Sequence, residues 1–97
     1  MKKRGKIVEV YFGRTKDTAF IDFGLHLKIA CNNDIYTVSR GTYNFNSSDE
    51  FLDYLDDTLT DAKVCYVSEL VGVPVEITVN DRLTDVLLDC RILKEVL

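Results

Sequence analysis

From Ala19 onward the odd positions read Ala19, Ile21, Phe23, Leu25, Leu27, Ile29 and Cys31, while Asp22, Gly24, His26, Lys28 and then Asn32 take even ones. Side chains of a strand alternate between its faces with a period of two, so this run predicts one long strand with an apolar and a polar face. Such a strand needs neighbours to pair its backbone groups and a second layer to cover its apolar side. Gly24 marks where it can bend.

The flanking segments supply both. Residues 7–12 are rich in β-branched and aromatic types between Gly5 and Gly13, and read as a first strand. Asn32-Asn33-Asp34 tolerate positive φ and residues 35–39 resume a strand-like composition, which predicts an antiparallel hairpin. Arg40-Gly41-Thr42 reads as a turn, after which Tyr43 and Phe45 lead into a helix. Residues 74–79 and 86–96 read as two closing strands joined around Asn80-Asp81-Arg82, with Pro74 at a strand start where its missing donor is harmless.

The helix opens on a capping box, with the Ser47 hydroxyl placed to accept from the Glu50 N–H and the Glu50 side chain to reach back to the Ser47 N–H. At about 100° per residue, Phe51, Leu52, Leu55 and Leu59 fall on one arc, and Glu50, Asp53, Asp57 and Asp61 on the other. Residues 61–72 suit two descriptions. Val64, Val67, Leu70 and Val71 have helical spacing with Gly72 as a C′ residue, and 64–67 also fits a short strand. The reading taken is a short second helix over 68–71. The expected fold is therefore α+β: a mainly antiparallel sheet of about five strands, with one amphipathic helix and the short second helix packed on it.

A chain of 97 residues, 46% of them hydrophobic, has apolar surface for one core, so residues 1–97 are expected to form a single domain. Cys31, Cys65 and Cys90 are widely spaced and odd in number, which favours free thiols, buried ones, in a reducing compartment. The basic start is followed by too short an apolar run, broken by Glu9, for a signal peptide, and no stretch approaches the roughly 20 apolar residues of a membrane span. A cytoplasmic protein without a membrane partner is expected. The net charge of −4 is unevenly spread. Lys2, Lys3, Arg4, Lys6, Arg14 and Lys16 lie early, whereas Asp49, Glu50, Asp53, Asp56, Asp57 and Asp61 form a run with no basic residue among them.

Few residues suggest chemistry. One histidine, His26, and three cysteines lack any C-x₂-C spacing, and His26 and Cys31 fall on opposite faces of the strand, so no metal is expected. His26 is the only imidazole for a Cys–His arrangement, and carboxylates on one solvated helix face do ordinary surface work, so neither catalysis nor a cofactor is expected. Arg40-Gly41-Thr42-Tyr43 before Ser47 is a weak phosphate signal, and the basic start reads as a solvated terminus rather than a nucleic-acid contact. The acidic helix face competes on better terms, because carboxylates at helical spacing can stand in for a run of backbone phosphates.

The order of signals resembles small accessory proteins of bacteriophages and prophages. The resemblance rests on Val10-Tyr11-Phe12-Gly13-Arg14-Thr15-Lys16-Asp17 through Leu25-His26-Leu27, on Leu70-Val71-Gly72-Val73-Pro74-Val75-Glu76-Ile77, and on Arg91-Ile92-Leu93-Lys94-Glu95-Val96-Leu97. Where those proteins often have a glycine-rich stretch, this chain has Asn33-Asp34-Ile35-Tyr36 and the lone Gly41. The resemblance implies a product that inhibits host defence in a bacterial cell, of the anti-CRISPR kind. Its partner would be a host defence protein such as a CRISPR effector, met by Asp49, Glu50, Asp53, Asp56, Asp57 and Asp61, with no direct nucleic-acid contact. Two alternatives stay open: an oligomer built on sheet edges that sequesters a signalling nucleotide through Arg40, Tyr43 and Arg91, and a structural phage component that forms a homo-oligomer.

Overall fold

The computed structural model describes residues 2–14, 23–78 and 89–97, apart from the side chain of Tyr43. Five strands, β1 (Lys2–Arg14), β2 (Phe23–Cys31), β3 (Asp34–Gly41), β4 (Pro74–Thr78) and β5 (Asp89–Ile92), form one antiparallel sheet in the order β3-β2-β1-β4-β5. One α-helix, α1 (Ser48–Ala62), packs on it, and single 3₁₀ turns occupy Thr42–Asn44, Val67–Leu70 and Lys94–Val96. The α+β expectation holds at this level.

The alternation in β2 does what its period requires on one side: Leu25, Leu27, Ile29 and Cys31 are all buried. Positions 19–22 of the expected strand, and the turn around Asn80-Asp81-Arg82 with 86–88, lie outside the described residues. The other side of β2 departs from the expectation, because His26 is only 4% exposed. It sits between Tyr11 of β1 and Ser39 of β3 in the ladder. Its Nε2 lies 3.0 Å from the Gly13 carbonyl and its Nδ1 2.8 Å from Ser39 Oγ. A carbonyl only accepts, so Nε2 carries a proton and donates it to Gly13, while Nδ1 shares the second hydrogen bond with the Ser39 hydroxyl. Both ring nitrogens are thereby satisfied, which is what allows the ring to be buried.

β1 extends well before the expected 7–12. The basic segment is no solvated terminus: Lys2 to Lys6 pair with Thr78 to Pro74 of β4. The later half of β1 pairs with β2 instead, from Lys6↔Ala30 to Arg14↔Phe23, with a bulge between Ile7 and Glu9. At that bulge Ile7 still bonds the β4 side, its N–H to the Val73 carbonyl at 3.1 Å and its carbonyl to the Gly72 N–H at 2.7 Å. The bulge is thus where the strand changes partners.

In α1 the Ser47 hydroxyl accepts from the Glu50 N–H at 3.2 Å, as expected. The Glu50 carboxylate, however, accepts from the Asn46 N–H at 2.9 Å rather than from Ser47, reaching one residue past the box. The helix stops at Lys63, in the left-handed region at φ 59°. Val64 N–H bonds the Leu59 carbonyl and Lys63 N–H the Thr60 carbonyl, the two bonds of a Schellman stop. Gly72, at φ 92°, follows Val71, the C-cap of the 3₁₀ turn Val67–Leu70, and so takes the C′ place expected of it before β4 begins. Between Lys63 and Gly72 the helical spacing gives one 3₁₀ turn, Val67–Leu70, one residue before the expected 68–71, and no second α-helix among the described residues.

The core lies between the sheet and α1, with Ile7, Leu27, Ile29, Leu70, Val75 and Ile77 almost fully buried. Leu52, placed by spacing on the apolar arc, is 59% exposed, whereas Phe51 and Ala62 are buried. Phe51 explains the rotation: it stacks on Phe12 of β1 with centroids 6.4 Å apart and meets Phe45 at 5.7 Å. With Phe51 seated, Leu52 lies about 100° round the helix and off the sheet. Finally, Arg40 Nη2 of β3 reaches Asp89 Oδ1 of β5 at 2.9 Å. One arginine side chain thus spans from one edge strand of the sheet to the other.

Candidate partner-binding groove

Because α1 packs through Phe51, Tyr54, Leu55, Leu59 and Ala62, its carboxylates are turned outward and toward β5. Between α1 and β5 runs a groove of about 500 Å³. Glu50, Asp53, Asp57 and Asp61 form one wall, Cys90, Arg91 and Ile92 the other, and Phe45, Tyr54 and Thr58 lie between them. The Phe45 and Tyr54 rings are 5.4 Å apart and continue the aromatic row from Phe51, so the floor is held by the same packing that orients the helix.

The six acidic residues singled out in the sequence divide here. Four line the groove, and Asp49 and Asp56 do not. Asp61 makes an ion pair with Lys94 at 3.5 Å, and Glu50 is engaged by the Asn46 N–H. Asp53 and Asp57 are exposed and make no ion pair among the described residues. The groove therefore sets two unpaired carboxylates across from Arg91, whose own ion pairs are with Glu76 and Glu95. At the base, burial pushes the Tyr54 phenol up, and the Cys90 thiol is pushed up to about 12, chiefly by burial. Neither group ionises at neutral pH.

Of the ligand set of the alternative reading, Arg91 lines the groove and Arg40 lies near enough to Tyr54 and Cys90 to act on them electrostatically. The register puts Arg40 opposite the inward Leu25 and Arg91 opposite Glu76 of the outer face. Arg40 bonds Asp89 and the Ser39 carbonyl, while Arg91 pairs with Glu76 at 3.5 Å and Glu95 at 3.4 Å. The Tyr43 side chain lies outside the described residues. His26 is on the outer face with Ser39, away from Cys31 on the inner face, and among the described residues no group of His, Cys, Asp and Glu is placed to hold a metal ion.

Chemically, the groove offers carboxylate acceptors above an aromatic floor. That combination suits a guanidinium or ammonium, which gains charge-assisted hydrogen bonds from the wall and cation–π contact from the rings. Sequence reasoning found the acidic wall and singled out Arg91 on the other side, but did not bring the two together. Tyr54, three residues from Phe51, was legible as part of the helix stripe, but Cys90 and Ile92 arrive through long-range pairing with β4, which has no local signal. Among the described residues no helix is long and apolar enough to cross a membrane. Compared with protein-family models, with curated proteins and with solved structures, the chain matches none.

Proposed function

We propose that this is a phage-encoded binding protein that inhibits a host defence system, in the manner of an anti-CRISPR protein, by presenting the acidic side of α1 to a basic surface of an effector. The phage and anti-defence setting comes from the resemblance of the sequence. The observation that favours a basic protein surface is the groove, in which Asp53 and Asp57 stand exposed and unpaired over Phe45 and Tyr54. An arginine or lysine of the effector, normally turned to nucleic-acid phosphate, enters the groove and is held by both.

The tagged protein is to be retained on resin with a defence-competent bacterial lysate at low and high salt, and whatever is captured identified by mass spectrometry. A nucleic-acid-binding effector released by salt is the expected result, since exposed charge pairs are screened over about 8–10 Å at ordinary ionic strength. The paired variants Asp53→Asn/Asp57→Asn and Asp49→Asn/Asp56→Asn then separate groove from general acidity. The first pair should weaken capture and inhibition by about tenfold or more, a loss of about 1.4 kcal/mol, and the second by much less. Equal effects of the two pairs, or none from either, would sink the groove mechanism.

A further inference from the structure

β3 closes one side of the sheet, and its outer edge has no strand beside it among the described residues. It joins β2 through the two-residue loop Asn32-Asn33, whose closing pair is Cys31 and Asp34. The closing pair of such a hairpin exchanges both N–H···O bonds, and bonded and non-bonded pairs alternate from there. Ile35, Thr37, Ser39 and Gly41 therefore turn their backbone groups away from β2. Two contacts agree with that phase: the Ser39 carbonyl accepts from Arg40 Nη1 at 2.9 Å, and the Gly41 N–H donates to Asn44 Oδ1 at 2.7 Å. Ile35 and Thr37 find no such backbone or side-chain partner among the described residues.

Edge strands are ordinarily blunted by a proline, a bulge or a charge in the middle. β3 has none of these: its pairing with β2 is regular, and its charges, Asp34 and Arg40, stand near its two ends. We propose that β3 pairs antiparallel with β3 of a second copy, about a two-fold axis through Thr37. In that register Thr37 faces Thr37 of the second copy, Ile35 faces Ser39, Tyr36 faces Val38 and Asp34 faces Arg40. The outward N–H and C=O groups of 35 and 37 and the N–H of 39 then find partners across the axis, the Ser39 carbonyl using the lone pair that Arg40 leaves open. Of the registers in the same phase, moving the axis to Tyr36 sets Asp34 against Val38, and moving it to Val38 sets Arg40 against Tyr36. Only the Thr37 axis opposes both charges at once, adding to the ion pairs Asp34 and Arg40 already make with Lys3 and Asp89. A two-fold contact uses the same edge on both copies and closes at a dimer. The pairing is independent of the groove, to which β3 contributes no residue.

The test uses the full chain in sedimentation analysis across the micromolar range, with amide hydrogen exchange on the same samples. A dimer is expected, with the Ile35 and Thr37 amides slowed in proportion to its population. Thr37 is exposed, so Thr37→Lys should fold, with an unchanged far-UV spectrum, and should weaken the dimer by about tenfold because like charges then oppose each other across the axis. In a Cys65→Ser background, Thr37→Cys should cross-link on oxidation and Ser39→Cys should not. A chain that stays monomeric with fast exchange at Ile35 and Thr37 overturns the proposal and leaves the edge to a strand of another protein. A dimer indifferent to Thr37→Lys and without the Thr37→Cys cross-link also overturns it, since the contact is then elsewhere.

Discussion

Gly24 was legible as a bend in a long strand, yet its place is set by distance. It pairs with Gly41 of β3, and a Cβ built on it would stand 2.2 Å from the Arg40 carbonyl oxygen and 2.4 Å from the Gly41 Cα, both backbone atoms that cannot swing aside. Gly24→Ala should therefore lower stability by roughly 1–3 kcal/mol, the usual cost of overpacking, read as a lower denaturant midpoint at constant slope. The cysteines divide as sharply. All three were expected to be buried; Cys31 is, Cys90 is half-buried and Cys65 is exposed. The thiolate is the reactive form, and a thiol pushed up to about 12 holds only about one part in ten thousand of it at pH 8. Burial pushes the Cys31 thiol up as well. A thiol reagent at pH 8 should label Cys65 rapidly and the other two only on unfolding; equal rates for all three would show that the packing around Cys90 is wrong. Nothing in the sequence near Cys65 distinguished it, because exposure there follows from the Schellman stop two residues earlier.

At the scale of elements, period gave the right types and phase gave the errors. The alternation of Leu25, Leu27, Ile29 and Cys31 identified β2 because a strand's faces are fixed by parity alone. A helix has no such rigid phase. Its apolar arc is wide, and which edge of the arc meets the sheet depends on the partner, here the Phe12, Phe45 and Phe51 rings. Phe51→Ala should accordingly cost about 3–4 kcal/mol, as loss of a buried aromatic does, whereas Leu52→Lys should stay within about 0.5 kcal/mol of the parent; thermal or denaturant unfolding of both checks this. A large loss from Leu52→Lys would restore the sequence-based phase. The expected second helix is reduced to a single 3₁₀ turn at Val67–Leu70, one residue before the expected 68–71. The groove was half visible. Its wall belongs to one helix, while its opposite side depends on where β5 docks.

At the scale of the described molecule, a cluster of cations and the carboxylates of α1 lie on different sides. Lys2, Arg4 and Lys6 of β1 and Lys28 of β2 share the outer face of the sheet, where Glu76 bridges Lys2, Arg4 and Arg91, while the carboxylates of α1 are on the opposite side of the core. The proposed β3 pairing and the proposed groove use separate surfaces. A dimer would then offer two grooves at once, and capture of a multivalent effector should fall more steeply on dilution for Thr37→Lys than for the parent chain. The sheet order has a further meaning in time. β1 is made first but sits in the middle, and while its later half finds β2 close by in sequence, Lys3 must wait for Ile77. Pairing over such separations is slow, so a chain leaving the ribosome forms the β1-β2-β3 meander first. Until α1 and β4 emerge, that meander holds Leu25, Leu27, Ile29 and Val38 uncovered, and in that interval the nascent chain is open to aggregation and to proteases.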